Sequence, residues 1–181
     1  MFDSSKADTM VGAMNPIDYA GAQICGASVE VTGPKGTALI RIVDLCPGCA
    51  AGDIDLSPQA FAQIADTSLG RVDISWYITA SSVSGPILYH FMEQSSQYWT
   101  AVQIRNHRYP VYSLDFLSQS GAWVHIDRTN YNYFVAPSGL GAGPYAFRVT
   151  DIYGHILIDS SIALAPGGDI AGESQFPPCS P

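Results

Sequence analysis

Residues 71–79 read Arg-Val-Asp-Ile-Ser-Trp-Tyr-Ile-Thr. The alternation is strict, with Val72, Ile74, Trp76 and Ile78 falling on one face, which is the pattern of a half-buried strand. Directly after it, Ala-Ser-Ser-Val-Ser-Gly at 80–85 forms a short linker, and Pro86 opens a second series of strand-like runs. Upstream, residues 28–32 and 37–43 read as two strands joined by the hairpin signal Gly33-Pro34-Lys35-Gly36. One helix is signalled, from Ser57 to Ala65. Ser57 is its N-cap, Pro58 takes the first helical position where a missing N–H costs nothing, and Phe61, Ile64 and Ala65 form its apolar face. Downstream, runs near 86–92, 98–105, 109–117, 122–127, 132–136, 145–151 and 155–160 follow at the spacing of an antiparallel sandwich, with a tight turn at Asp151-Ile152-Tyr153-Gly154. Phe116, Trp123 and Phe147 are expected in its core, and the Pro/Gly-rich tail from Ala165 is expected to be irregular.

Composition agrees. The chain has 181 residues, 47% hydrophobic and 13% charged, with Gly 17, Pro 12 and Tyr 10. Few charges and many turn formers favour short strands over long helices and exclude a disordered or coiled-coil chain. The net charge of −8 repels polyanions, so nucleic acid and anionic membrane surfaces are not expected as partners. No apolar run reaches membrane-spanning length. Residues 1–10 are polar and carry no signal-peptide core.

Three features could carry chemistry. Asp44, Asp53 and Asp55 fall within twelve residues, flanking a rigid Cys46-Pro47-Gly48-Cys49 loop. Crowded carboxylates in a cleft can leave one protonated as a general acid, whereas Asp53 and Asp55 could equally satisfy loop amides and cap the helix. Cys25, Cys46, Cys49 and Cys179 make an even set suited to disulfides. Their connectivity stays open, and no second Cys pair or spaced His supports a zinc site. Lastly, Tyr98-Trp99 opens a strand, where neighbours face opposite sides, so one ring is exposed unless the chain bulges there. Asn130-Tyr131-Asn132-Tyr133-Phe134 sets further aromatics in turn-like company. Exposed rings of this kind can stack on the flat apolar face of a sugar. The four histidines are scattered, and His107 reads as a hairpin residue.

Two blocks together resemble the microbial expansins, relatives of plant cell-wall-loosening proteins. One runs from Glu30-Val31-Thr32-Gly33-Pro34-Lys35-Gly36 through Asp44-Leu45-Cys46-Pro47 to Asp55-Leu56-Ser57-Pro58; the other is Tyr98 to Val111, with Tyr131-Asn132-Tyr133-Phe134-Val135 following. The resemblance implies an all-β chain. Residues 1–79 would form a six-stranded double-psi β-barrel lacking its first strand, 80–85 the linker, and 86–177 an immunoglobulin-like, cellulose-binding β-sandwich. It further implies a secreted, monomeric, non-catalytic protein that loosens cellulose and associated wall polysaccharides without cofactor or metal. Asp44 and Asp55 match the groove aspartates, Asp55 being the counterpart of a general acid in related endoglucanases. Tyr98, Trp99 and Tyr131 match a linear platform of three aromatics. Relatives carry more chain before residue 10, so Met1 reads as an internal start or fragment boundary, with any signal peptide upstream. The alternative function is glycan cleavage, as an endoglucanase or a peptidoglycan lytic transglycosylase using Asp55.

Overall fold

The computed structural model describes residues 9–178, which divide into two compact units, Met1–Ser81 and Ser82–Pro181. The first unit contains β1 (Val11–Met14), α1 (Pro16–Tyr19), β2 (Ser28–Gly33), β3 (Gly36–Leu45), β4 (Ile54–Leu56), α2 (Pro58–Ile64), a 3-10 turn at Thr67–Leu69, and β5 (Ser75–Thr79). Its five strands form one sheet in the order β4-β1-β3-β2-β5, with β1 parallel to β3 and the other pairings antiparallel. The β2–β3 hairpin closes with Gly33 opposite Gly36. Ser57 caps α2 by accepting from the Ala60 amide at 3.2 Å, with Pro58 behind it in the first turn. Met14, Val29, Val31, Ile40, Ile42 and Ile64 are fully buried at the centre of this unit.

The second unit contains β6 (Leu88–Phe91), β7 (Thr100–Arg105), β8 (Val111–Leu117), β9 (Trp123–Ile126), β10 (Phe134–Ala136), β11 (Tyr145–Asp151), β12 (Ile156–Ile162) and β13 (Asp169–Ala171). They form two four-stranded antiparallel sheets, ordered β10-β7-β6-β13 and β12-β11-β8-β9. Tyr89 of one sheet stacks on Phe147 of the other with ring centroids 5.2 Å apart. The Tyr89 hydroxyl donates to Asp159 Oδ2 at 2.8 Å, and the Glu173 amide donates to Asp159 Oδ1 at 2.7 Å, so this fully buried carboxylate is met on both oxygens. Burial, reinforced by the charge of Asp159, drives the Tyr89 phenol far above its ordinary range.

Several expectations need correction. The alternating run at 71–79 enters the ladder only at Ser75, although Val72 and Ile74 still pack against the core. The tail is not irregular throughout: β13 pairs with β6, and Phe176 is fully buried, because the edge of the first sheet would otherwise lie open. Trp123 is not core. It lies half-buried on the outer side of its sheet, under the Arg148 guanidinium at 5.0 Å from its ring centroid. Phe147 is fully buried, and Phe116 packs partly buried against the same cluster. In the first unit the two strands with no reading in the sequence, β1 and β4, are four and three residues long. Cys46 and Cys49 form a disulfide, Cys25 is buried in the first unit, and Cys179 lies outside the described residues.

Tyr89→Phe should strip one partner from the buried Asp159 carboxylate while keeping the ring. The expected result is a loss of about 1–3 kcal/mol in the stability of the second unit, read from urea unfolding.

Candidate functional site

In the first unit the aspartates are brought together by strand register rather than by sequence proximity. Ala13 is the partner of Asp44 on β3 and of Asp55 on β4. The two carboxylates therefore lie in one row across β4-β1-β3, and two strand spacings put their Cα atoms about 10 Å apart. The β1–β3 ladder slips by one residue between Gly12 and Ala13, so Ala13 meets Asp44 rather than Val43. Both carboxylates are exposed, and Asp44 Oδ1 accepts from the neighbouring Leu45 amide at 2.8 Å. A cleft of about 490 Å³ opens beside the row, lined by Asp55, Leu56, Phe61, Arg71 and Ile74 together with the disulfide.

Asp53 behaves structurally. Its Oδ2 accepts from Arg71 Nη2 at 2.8 Å and from the Ala50 amide at 3.2 Å. Buried Asn15 holds the same loop by donating to Asp18 Oδ2 at 2.6 Å and to the Asp53 carbonyl at 3.1 Å. Trp76 Nε1 donates to the Gly52 carbonyl at 2.9 Å, and the Gly52 amide donates to Asp18 Oδ2. The loop between Cys46 and Asp53 is thus pinned from three sides. Among the described residues, no group of three His, Cys, Asp or Glu side chains could hold a metal ion.

In the second unit the aromatics are displayed beside a strand, β7, that is buried on both faces. From Thr100 to Ile104 every residue of β7 is covered. Val102 and Ile104 face the sandwich core, while the polar Gln103 is fully buried on the other side. The loop from 127 to 133 does the covering. Gln103 Nε2 donates to the Asn132 carbonyl at 3.2 Å, and Arg128 Nη1 donates to Asn132 Oδ1 at 2.8 Å while lying over the Phe134 ring. Asn132 takes a left-handed φ of 61°, a conformation asparagine tolerates better than most residues. Tyr131 is thereby lifted outward, 46% exposed, with its ring 6.0 Å from that of Tyr133. Tyr133 packs edge-on against His90, which the register puts on the outer face opposite Gln103.

Tyr98 and Trp99 precede β7 in a tight turn, where the Ser96 amide donates to the Trp99 carbonyl at 2.7 Å. This bend removes Tyr98 from strict alternation: it is 75% exposed at the turn tip, while Trp99 is half-buried. The turn rests on Gly139 (φ 71°), where a Cβ would stand 2.0 Å from the Gln97 carbonyl oxygen and 2.6 Å from the Tyr98 carbonyl carbon. The Gly141 amide donates to the same Gln97 oxygen at 3.1 Å. Neither Gly139 nor Gln103 carries a signal in the sequence, since the first needs its distant neighbour known and the second reads as an ordinary polar strand residue. His107 is buried in the bend between β7 and β8.

Comparison with known proteins bears on both units. Residues 9–76 match a family model described as lytic transglycolase. Expansin-YoaJ of Bacillus subtilis is 36% identical over 98% of this chain and 79% of its own length. The chain belongs to the expansin family. A solved expansin of Clavibacter michiganensis superposes with a TM-score of 0.87 at 33% identity, covering 96% of this chain and 86% of that one. A single-residue variant of an expansin from the same organism, solved in complex with cellohexaose, gives the same TM-score at 32% identity. The all-β reading, a double-psi barrel followed by a sandwich, is that of this expansin fold.

Gly139→Ala should displace the Tyr98–Trp99 turn, because the obstructing atoms are backbone and cannot swing aside. Retention on cellulose should fall as far as in Tyr98→Ala. Gly154→Ala is the control, at φ 86° with open space around it; it should share the backbone strain, cost about 1 kcal/mol in stability, and keep wild-type retention.

Proposed function

We propose that this expansin binds cellulose through Tyr98, Trp99 and Tyr131 and loosens glucan–glucan contacts in plant cell walls without cleaving them. The observation that carries the reading is the display of these aromatic rings beside a strand whose own two faces are already covered. The rings are not needed to close the core, yet they are set on a rigid support. Tyrosine and tryptophan lose little rotamer freedom on contact, so each stack on a glucose face retains much of its burial energy. In the first unit, Asp44 and Asp55 offer carboxylate acceptors to glucan hydroxyls, competing with bonds between neighbouring chains. The protein acts outside the cell, as a monomer, with no cofactor. Its net charge of −8 favours uncharged glucan over acidic wall polymers.

Glycan cleavage is a second reading, favoured by the match of residues 9–76 to the lytic transglycolase model. Inverting hydrolysis uses two carboxyl groups roughly 6.5–9.5 Å apart, and the row Asp55–Ala13–Asp44 is compatible with that span. Against it, both carboxylates are exposed to solvent rather than enclosed.

Depletion onto insoluble cellulose tests the first reading. Trp99→Ala and Tyr131→Ala should each lose about 1–2 kcal/mol of binding, roughly five- to thirtyfold, with thermal unfolding unchanged. Wild-type retention by both variants would reject the platform. Reducing ends released from cellulose or peptidoglycan by the wild type, and absent with Asp55→Ala, would establish the second reading instead.

A further inference from the structure

The outer face of the sheet β10-β7-β6-β13 continues beyond the aromatic rings. Gln103, His90 and Asp169 stand in register across β7, β6 and β13. His90 Nδ1 and Asp169 Oδ1 are 2.6 Å apart, and Arg105 Nη1 is 3.5 Å from the same oxygen. Arg105 Nε donates to Gln103 Oε1 at 2.7 Å. Tyr133 in turn lies against both His90 and Tyr131, so a row of contacts runs from the exposed Tyr131 through the buried Tyr133 and the largely covered His90 to the exposed Asp169.

Burial sorts this cluster. The His90 and Arg105 side chains are only 16% and 18% exposed, whereas Asp169 is 43% exposed. The two basic groups lie beneath and the carboxylate lies on top, with its Oδ2 outside all the bonds just described. A ligand lying along the rings and reaching past Tyr133 therefore meets acceptor oxygens rather than positive charge. A carboxylate accepts well from sugar hydroxyls, whereas a sugar acid would face a like charge there.

We propose that His90 and Asp169, backed by the buried Tyr133, form a polar subsite at the end of the aromatic platform, one that binds hydroxyls of an uncharged glucan and selects against uronate polymers. The inference rests on the platform reading above. Asp169 is its specificity determinant, since without that charge Arg105 would present an uncompensated guanidinium to the ligand.

The test is calorimetric titration of the full chain with cellohexaose and with hexagalacturonate. Asp169→Asn should weaken cellohexaose about three- to tenfold and create hexagalacturonate binding that fades with salt. Adding Arg105→Gln to that variant should abolish the new binding. Both changes are required: if Asp169→Asn leaves either oligomer at its wild-type affinity, the subsite is overturned, including the case where only thermal stability falls and the cluster merely pins β13. Trp99→Ala separates the two readings. Loss of cellohexaose binding there, with no effect of Asp169→Asn, sinks the subsite alone; unchanged binding in Trp99→Ala sinks the platform as well.

Discussion

The second unit depends on how a fully buried glutamine is satisfied. In an antiparallel sandwich one sheet face meets the core and the other meets water, so a strand covered on both sides needs a separate cover. Gln103 dictates what that cover must be, because its amide is out of reach of solvent and requires a partner. The Asn132 carbonyl supplies one, Arg105 supplies another, and Arg128 fixes the covering loop from its far side. Once that loop is closed over β7, Tyr133 has no outlet except against His90, and Tyr131 none except outward. The exposed ring is thus a consequence of satisfying a buried polar group, which explains how it can be both exposed and rigid.

The sequence carried much of this, unevenly. Hairpins and the capped helix were legible because their signals are local: Gly33 to Gly36 closes a turn by itself, and Ser57-Pro58 starts a helix by itself. Strands β1 and β4 escaped because Val11–Met14 and Ile54–Leu56 are too short to show a period, and their pairing is set by partners 30 to 44 residues away. Trp123 was misplaced because a lone tryptophan in a strand reads as core unless the guanidinium that covers it is known. Tyr98 and Trp99 were singled out for the wrong geometric reason. Strand alternation was expected to expose one of them, whereas a turn braced by Gly139 does so.

The two units use their polar groups differently. In the first, the loop between Cys46 and Asp53 commits its charged and backbone groups to Arg71, Asp18 and Asn15, leaving Asp44 and Asp55 exposed in a single row. Exposed carboxylates are good acceptors for sugar hydroxyls. The cleft beside them is lined by Asp55 and by Asp53, whose carboxylate is already engaged by Arg71 and the Ala50 amide.

Energetic scale bears on what such a surface can accomplish. A single ring stacked on a sugar face contributes on the order of 1 kcal/mol beyond competing hydration, so no one contact holds the polymer. Several such contacts in series hold a chain firmly in sum while letting each sugar release in turn at little cost. A surface of that kind follows a glucan that shifts under tension, whereas one deep pocket of equal total affinity would have to surrender everything at once. The negative charge of the chain points the same way: with no net attraction to anionic polymers, affinity must come from stacking and from hydrogen bonds to an uncharged ligand, neither of which is strongly screened by the ions of a cell wall.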